Sequence, residues 1–132
     1  IGEHVAAQDE TVTVIAMIEH PHAIEAIDEI LAVDGIDGVF IGRGDLTVAF
    51  RQTSGGAAVV KEAADRIAAA ARKAGKPVCI LAGSPDDAAD FAARGASAFI
   101  LSSDQGLMRQ AAIGALGDYS SRLAQAAERS GT

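Results

Sequence analysis

Four short apolar runs, each followed by a longer stretch of helical periodicity, constrain the fold of this chain more than any other feature. The runs cover residues 12–18, 38–41, 77–81 and 98–101. Strands that alternate with helices are typical of a parallel sheet in an α/β fold. Because the runs are continuously apolar rather than alternating, we expect the strands to be buried on both faces.

The stretches between the runs carry helix start and stop signals. Proline in a first helical turn, a capping serine before it and glycine after the last turn are the signals that recur. They predict helices from Pro21 to Gly35, from about Ala57 to Ala74, from Pro85 to Gly95 and from about Gln105 to Ala127. Within a single domain over 1–132, we assign residues 1–10 to the remnant of a preceding helix and residues 128–132 to a frayed tail.

Periodicity alone does not separate an open doubly wound sheet from a closed barrel. The missing Gly-x-Gly-x-x-Gly pattern after the first strand argues against a dinucleotide-binding sheet. A (β/α)8 TIM barrel needs about 250 residues, whereas this chain of 132 residues supplies four units and starts at Ile1 rather than Met. We therefore predict the C-terminal half of a TIM barrel, with a self-standing half-barrel as the alternative.

The composition limits the classes of function. A net charge of −7 without a run of basic residues argues against nucleic acid and anionic membranes as partners. The single cysteine, Cys79, lies in an apolar run, so we predict a core residue and no disulfide framework. No stretch approaches the roughly 20 apolar residues of a membrane span, and no signal peptide is recognisable. We expect a soluble, cytoplasmic protein.

Two carboxylates follow neighbouring predicted strands. Glu19 ends the first run, and Asp45 comes just after the second. Since adjacent parallel strands lie about 4.8 Å apart, the two side chains can reach one cation at the carboxyl end of the sheet. Oxygen ligands suit a hard ion such as Mg²⁺ or Mn²⁺. From spacing alone, the alternative is that both residues cap helices or pair with Arg43.

Glycines flank the second carboxylate. Gly42 and Gly44 allow a ligand to approach the backbone closely, and the amides of Gly44 and Asp45 can hold a carboxylate such as that of a 2-oxo acid. Ordinary turn chemistry is the alternative. The triplet Arg43-Gly44-Asp45 also matches a cell-adhesion motif, against which the missing secretion signal argues.

Four further side chains lie near this edge in the predicted topology. His20 and His22 could act as base or ligand, but we favour surface positions for both. Met17 shares strand parity with Glu19 and points into the same space, where filling the barrel is its favoured role. Arg43 could bind an anionic substrate or form a surface salt bridge.

Several segments resemble the HpcH/HpaI family of class II pyruvate aldolases. They are Met17-Ile18-Glu19, the helix through residues 28–33, and residues 34–46, and similarity continues through Gly75-Lys76-Pro77, residues 80–82 and residues 95–102. The resemblance covers nearly the whole chain as the family's C-terminal half. The family includes 4-hydroxy-2-oxoheptanedioate aldolase and 2-keto-3-deoxy sugar acid aldolases, with citrate-lyase-β-like proteins as more distant relatives.

This resemblance implies roles for individual residues. Glu19 and Asp45 correspond to the two protein ligands of the divalent metal, and Gly44 with Asp45 supplies the amides that hold the substrate carboxylate. Gly42, Met17 and Leu81 are expected to line the same substrate site. The implied cofactor is Mg²⁺ or Mn²⁺, with Co²⁺ as a further option.

The implied activity is aldol cleavage or formation of 4-hydroxy-2-oxo acids through a pyruvate enolate, by a homo-oligomer acting on pyruvate and an aldehyde. No Schiff-base lysine is required, and Lys61, Lys73 and Lys76 fall on helices or helix exits, away from the strand ends. The alternatives are a CoA-thioester lyase of the citrate-lyase-β type and a non-catalytic half-barrel that self-associates.

The sequence departs from the family pattern in two places. The family usually has Gln where Met17 stands and Pro where Arg43 stands. The family's catalytic His and enolate-stabilising Arg come from the N-terminal half, which these residues do not include. We therefore expect the chain alone to be inactive.

Overall fold

A computed structural model describes residues 2–51 and 56–131. Residues up to Leu101 form one compact unit, and residues from Ser102 form a second. In chain order the elements are α1(Gly2–Asp9), β1(Ile15–Ile18), α2(Pro21–Glu25), α3(Ile27–Leu31), β2(Gly38–Ile41), α4(Arg43–Arg51), α5(Ala57–Lys73), β3(Val78–Leu81), α6(Pro85–Ala93), β4(Ala96–Ile100) and α7(Asp104–Ser130).

The four strands form one parallel sheet in the order β1-β2-β3-β4, so each strand lies beside the next one in the chain. Met17 is opposite Phe40, and Phe40 is opposite Cys79. A register shift between Val78 and Cys79 places Leu81 opposite Ile100. Because all pairs are parallel, the carboxyl ends of the four strands lie at one edge of the sheet.

The elements follow the predicted βα order, but several bounds differ and one helix was not predicted. The first strand begins at Ile15 rather than at residue 12, and the fourth begins at Ala96 rather than at residue 98. The helix predicted from Pro21 is divided at Ala26 into α2 and α3. Helix α4 was not predicted, because a nine-residue helix directly after a strand has little room to display a period.

The helices cover one face of the sheet. Ile18, Val39, Ile41, Val78 and Ile80 point to this side and are at most 1% exposed. They pack in a single core with apolar side chains from the flanking helices, namely Ile24, Ile27, Leu31, Leu46, Val60, Ile67 and Phe91. The alanine-rich sequence of α5 contributes Ala63, Ala64, Ala68 and Ala71, whose small side chains let this helix lie close to the strands.

The opposite face of the sheet is largely open, and here the prediction of burial on both faces is wrong. Ile15, Met17, Leu81 and Ile100 have the opposite strand parity and are 45–54% exposed. Cys79, between them, is buried and carries a free thiol, as predicted. An apolar strand sequence indicates that both faces can be buried. Whether a face is buried depends on the helices and strands that pack against it.

The second unit is a single long helix. Ser103 caps α7 by accepting a hydrogen bond from the Gly106 amide at 3.0 Å. The helix is continuous to Ser130, through the first three residues of the stretch 128–132 in which fraying was expected, and Gly131 ends it with a left-handed φ of 66°. None of its residues is buried. In the described part of the chain, no helix is long and apolar enough to cross a membrane.

Candidate active site

The ends of β1 and β2 meet closely at the carboxyl edge of the sheet. The Gly42 amide donates to Ile18 O at 3.0 Å, which extends the pairing of the two strands by one residue. A Cβ atom added to Gly42 would lie 2.7 Å from Glu19 Cβ and 3.5 Å from Glu19 Oε2. Only glycine tolerates this approach. Glu19 is therefore held directly against the residue that precedes α4.

Helix α4 starts immediately at this contact and carries the second carboxylate. Leu46 N donates to Gly42 O at 3.0 Å, and the Leu46 side chain is fully buried, so the first turn is attached to the core. Asp45 lies in this turn and is exposed. The amides of Gly44 and Asp45 belong to the first turn of a helix, where N–H groups have no acceptor within the helix. They form the positive end of the helix dipole.

A cleft of about 830 Å³ opens beside this turn. Five of the residues assigned to metal or substrate binding line it: Met17, Gly42, Gly44, Asp45 and Leu81. Glu19 does not line the cleft but contacts Gly42, which does. No heavy atom lies within 4 Å of a Cβ built on Gly44, so the space over this backbone is open to a ligand.

Among the residues that the structure describes, the two carboxylates form no cluster with a third metal-binding side chain. Over residues 2–51 and 56–131, no group of three or more His, Cys, Asp or Glu is arranged to hold an ion. Among the ion pairs of the same residues, none includes Glu19 or Asp45. Two oxygen donors not committed to a basic side chain fit a hard cation whose remaining ligands are water and substrate.

The histidines after β1 make local contacts. His20 caps α2, its Nδ1 accepting from the His22 amide at 3.3 Å. His22 Nδ1 lies 3.3 Å from Glu25 Oε2, and both side chains are mostly exposed. These positions agree with the prediction of surface histidines. Neither residue lines the cleft.

Arg43 is engaged with a residue that the sequence did not link to the site. Its Nη1 donates to Asp87 Oδ1 at 2.9 Å, and its Nη2 donates to Asp87 Oδ2 at 2.5 Å and to Leu81 O at 2.7 Å. The alternative in which Arg43 pairs with Glu19 or Asp45 is therefore wrong. Arg43 comes 44 residues before Asp87, and no sequence pattern relates the two.

Asp87 is itself firmly held at the start of α6. Its amide donates to the capping Ser84 Oγ at 3.1 Å, as the sequence Ser84-Pro85-Asp86-Asp87 indicated, and its Oδ2 accepts from the Gly83 amide at 2.9 Å. The hydrogen bonds from Arg43 and then from Gly83 hold the pKa of Asp87 below its usual value. The carboxylate is therefore a fixed negative charge at neutral pH.

A second arginine extends the same network. Arg94 donates to Asp65 of α5 and to Asp90 of α6, each at 2.5 Å. The guanidinium carbons of Arg43 and Arg94 lie 4.8 and 4.9 Å from the centroid of the Phe91 ring. The network thus joins the starts of α4 and α6 to the middle of α5.

Lys61 lies on a helix rather than at a strand end, as predicted, and it is also one of the residues that line the cleft. It belongs to α5 and pairs with Asp65 across one helical turn at 3.3 Å. Lys73 and Lys76 lie at and after the end of α5, and Lys76 donates to Val33 O at 3.1 Å. Their helix and helix-exit positions agree with the prediction.

Comparison with known proteins gives the class to which this fold and site belong. The family model of the HpcH/HpaI aldolase/citrate lyase matches residues 2–111. The chain belongs to this family. The predicted resemblance is thereby confirmed.

Two curated relatives show how much of a family protein the chain represents. It is 35% identical over 130 residues to hydroxypyruvate/pyruvate aldolase of Delftia acidovorans, covering 98% of this chain and 48% of that protein. It is 32% identical over 112 residues to 5-keto-4-deoxy-D-glucarate aldolase of Enterobacter sp. strain 638, covering 84% of this chain and 44% of that protein. The chain thus spans about half the length of the relatives it matches.

Solved structures give the same proportion. Citrate synthase SbnG superposes with a TM-score of 0.77 at 28% identity, over 92% of this chain and 50% of that one. Macrophomate synthase superposes with a TM-score of 0.78 at 23% identity, over 92% of this chain and 43% of that one, which shows the fold alone. The four-stranded parallel sheet is therefore half of a TIM barrel, as predicted.

Proposed function

We propose that this chain carries the metal-binding and carboxylate-binding part of an aldolase that forms or cleaves 4-hydroxy-2-oxo acids through a pyruvate enolate. One observation carries the proposal: Glu19 is packed against Gly42 at the start of α4, the helix whose first turn holds Asp45. Glu19 directly follows β1 and Asp45 lies in the first turn after β2, so the two carboxylates follow adjacent strands beside an open cleft.

Glu19 and Asp45 would hold the divalent ion, for which Mg²⁺ or Mn²⁺ is the best match and Co²⁺ is a further candidate. Both side chains are exposed, so a hydrated ion can reach them. When bound, such an ion acts as a Lewis acid towards the substrate oxygens. Two carboxylates and no thiolate favour hard ions over zinc.

The first turn of α4 would bind the carboxylate of a 2-oxo acid. The Gly44 and Asp45 amides lie at the positive end of the helix dipole, which favours a bound anion. Because residue 44 is glycine, no side chain covers these amides. Met17 and Leu81 would form the apolar wall beside the methyl group of pyruvate, since both line the cleft and are about half exposed. This arrangement orients the substrate and shields one side of it from water.

The base that removes a C3 proton, and the arginine that stabilises the enolate, would come from residues outside this chain. No histidine is among the described residues that line the cleft. Of the arginines that line the cleft, Arg43 and Arg94 are committed to aspartates, and Arg51 lies at the opposite end of α4 from Asp45. The relatives that the chain matches are about twice as long. The chain alone would then be inactive, and the active enzyme would be a homo-oligomer of the complete protein.

A citrate-lyase-type reaction on a CoA thioester is the second candidate. The 28% identity to citrate synthase SbnG and the description of the family favour it. The pairing of most of the cleft's cations counts against it, because a nucleotide phosphate needs free basic groups. Arg43, Lys61 and Arg94 line the cleft and are each paired with an aspartate, whereas Arg51 lines it and is in none of the ion pairs among the described residues. A single unpaired arginine is little for a nucleotide phosphate. We therefore favour the aldolase.

Calorimetric titration of the full-length protein with Mn²⁺ tests the proposal. Glu19→Ala and Asp45→Ala should each abolish measurable binding, since each removes about half of the protein charge at the ion. Glu25→Ala is the matched control, because Glu25 is an exposed carboxylate on the next helix that pairs with His22. Wild-type affinity in both site variants would remove the central claim.

A further inference from the structure

We propose that Asp87 is a positioning residue for the first turn of α4. It would act through Arg43, the first residue of that helix, and fix the backbone at Gly44 and Asp45, which line the cleft. The inference rests on the proposed function only for its consequence in substrate binding. Its structural part concerns the order of the turn itself.

The geometry of the pair supports a fixed connection. Arg43 makes two hydrogen bonds to Asp87 and a third to Leu81 O, at the last residue of β3. The two side chains are 31% and 24% exposed, so water competes with the pair only in part. Paired hydrogen bonds between a guanidinium and a carboxylate also fix the orientation of both planes.

Asp87, which is the α6 end of this connection, cannot move easily. Asp87 belongs to the capped first turn of α6, where its amide bonds to Ser84 Oγ and its carboxylate accepts from the Gly83 amide. A carboxylate at the start of a helix is also favoured by the helix dipole. Asp87 therefore holds Arg43, rather than following it.

At the start of α4, the backbone is held by the Gly42 amide, which donates to Ile18 O, and by the buried Leu46 side chain. Between these two points, Gly44 follows Arg43 and gives the backbone wide freedom. The first backbone bond of the helix is Leu46 N to Gly42 O, and Thr47 Oγ1 donates to Arg43 O at 2.7 Å. Without its side-chain anchor, a turn that contains two glycines would open more often.

The proposal predicts a specific rescue. Proline at a first helical position fixes φ through its own ring and needs no partner. Arg43→Pro should therefore keep the turn ordered, and Asp87 should become dispensable for the turn in that background. If Asp87 only stabilised α6, replacing it would have the same effect on the turn in the wild-type protein and in the Arg43→Pro variant.

The experiment compares four forms of the full-length protein: wild type, Asp87→Asn, Arg43→Pro and the double variant. Asp90→Asn is the matched control, since Asp90 lies on the same helix but pairs with Arg94. The first measurement is hydrogen exchange at the Leu46 amide without ligand, by NMR. The second is the affinity for oxamate, an analogue of pyruvate, with Mn²⁺ present, by calorimetry.

Asp87→Asn should accelerate exchange at Leu46 and weaken oxamate binding by about tenfold, as expected for the loss of a charge-assisted hydrogen bond. The double variant should match Arg43→Pro in both measurements, and Asp90→Asn should match wild type. Equal losses in both backgrounds would overturn the proposal. So would a lower melting temperature of Asp87→Asn with unchanged exchange and affinity.

The two measurements separate this inference from the proposed function. If wild type binds neither Mn²⁺ nor oxamate while the exchange pattern follows the expected rescue, the proposed function is wrong and the positioning role stands. If wild type binds both ligands and Asp87→Asn leaves the Leu46 amide unaffected, the function stands and the positioning role is wrong.

Discussion

The two faces of the sheet have similar composition and opposite environments. On one face Ile18, Ile41 and Ile80 are at most 1% exposed under the helices. On the other, Met17 and Leu81 are 54% and 48% exposed. Neighbouring residues of one strand thus differ in exposure about as much as core and surface residues do, although all of them are apolar.

We infer from this difference that one face of the sheet mainly stabilises the fold and the other face mainly serves function. The helix-covered face contains the residues that form the core. The open face supplies Met17 and Leu81 to the cleft at the carboxyl end. A closed barrel would bury the open face as its interior.

The largest effect concerns catalysis by the chain without the rest of a barrel. Full-length protein with Mg²⁺ or Mn²⁺ should exchange the methyl protons of pyruvate with deuterium, and the isolated chain should not. General-base help of about 10² to 10⁴ and electrostatic stabilisation of similar size would both be absent. Deuterium incorporation followed by NMR measures the rates. Equal rates would show that His20, His22 or water serves as the base.

Truncation of one side chain on each face should have unequal costs. Ile80→Ala should lower the free energy of unfolding of the isolated chain by about 2–5 kcal/mol, because it leaves a cavity in a closed core. Met17→Ala should change it by less than about 1 kcal/mol, as is typical of exposed positions. Urea denaturation measures both. In the full-length protein the cost of Met17→Ala should rise, because the other half of the barrel would cover part of the open face. An unchanged cost there would contradict a closed barrel.

Gly44→Val tests the open space over the first turn of α4. The fold and Mn²⁺ affinity should be retained, since no atom lies within 4 Å of a Cβ at this position. Oxamate binding should weaken by roughly tenfold to a hundredfold, because the side chain covers amides that bond to a charged group. Calorimetry on full-length protein measures it, with Gly114→Val in α7 as the control. Wild-type affinity would place the carboxylate site elsewhere.

The smallest effect is the pH dependence from Asp87. Its pKa is lowered from 3.8, chiefly by Arg43, so the folded state binds the proton more weakly than the unfolded state. The stabilisation is complete above the unfolded pKa and is lost as pH falls through the folded pKa, within about 1 kcal/mol for such a pair. Urea titrations of wild type and Asp87→Asn from pH 6 to about pH 2 should converge at the acid end. Parallel curves would contradict the shift.

Much of the fold could be predicted from the sequence, because its signals are local. Apolar runs and helix-capping residues lie within a few positions of the structure they specify, as at Ser84 and Gly75. The strand from Gly38 to Ile41 was predicted to the residue. The bend at Ala26 and helix α4 were missed, since short helices depend on the core beneath them.

The candidate site divides in the same way. From the sequence we predicted that Glu19 and Asp45 follow consecutive strands and that glycines surround the second carboxylate, because the alternation of strands and helices can be read along the chain. The contact of Glu19 with Gly42, the open face under Met17 and the pair of Arg43 with Asp87 were decided by the tertiary structure. The pair of Arg43 with Asp87 joins residues 44 positions apart. Such partners are selected by the packing of whole helices and strands rather than by any local preference of the sequence.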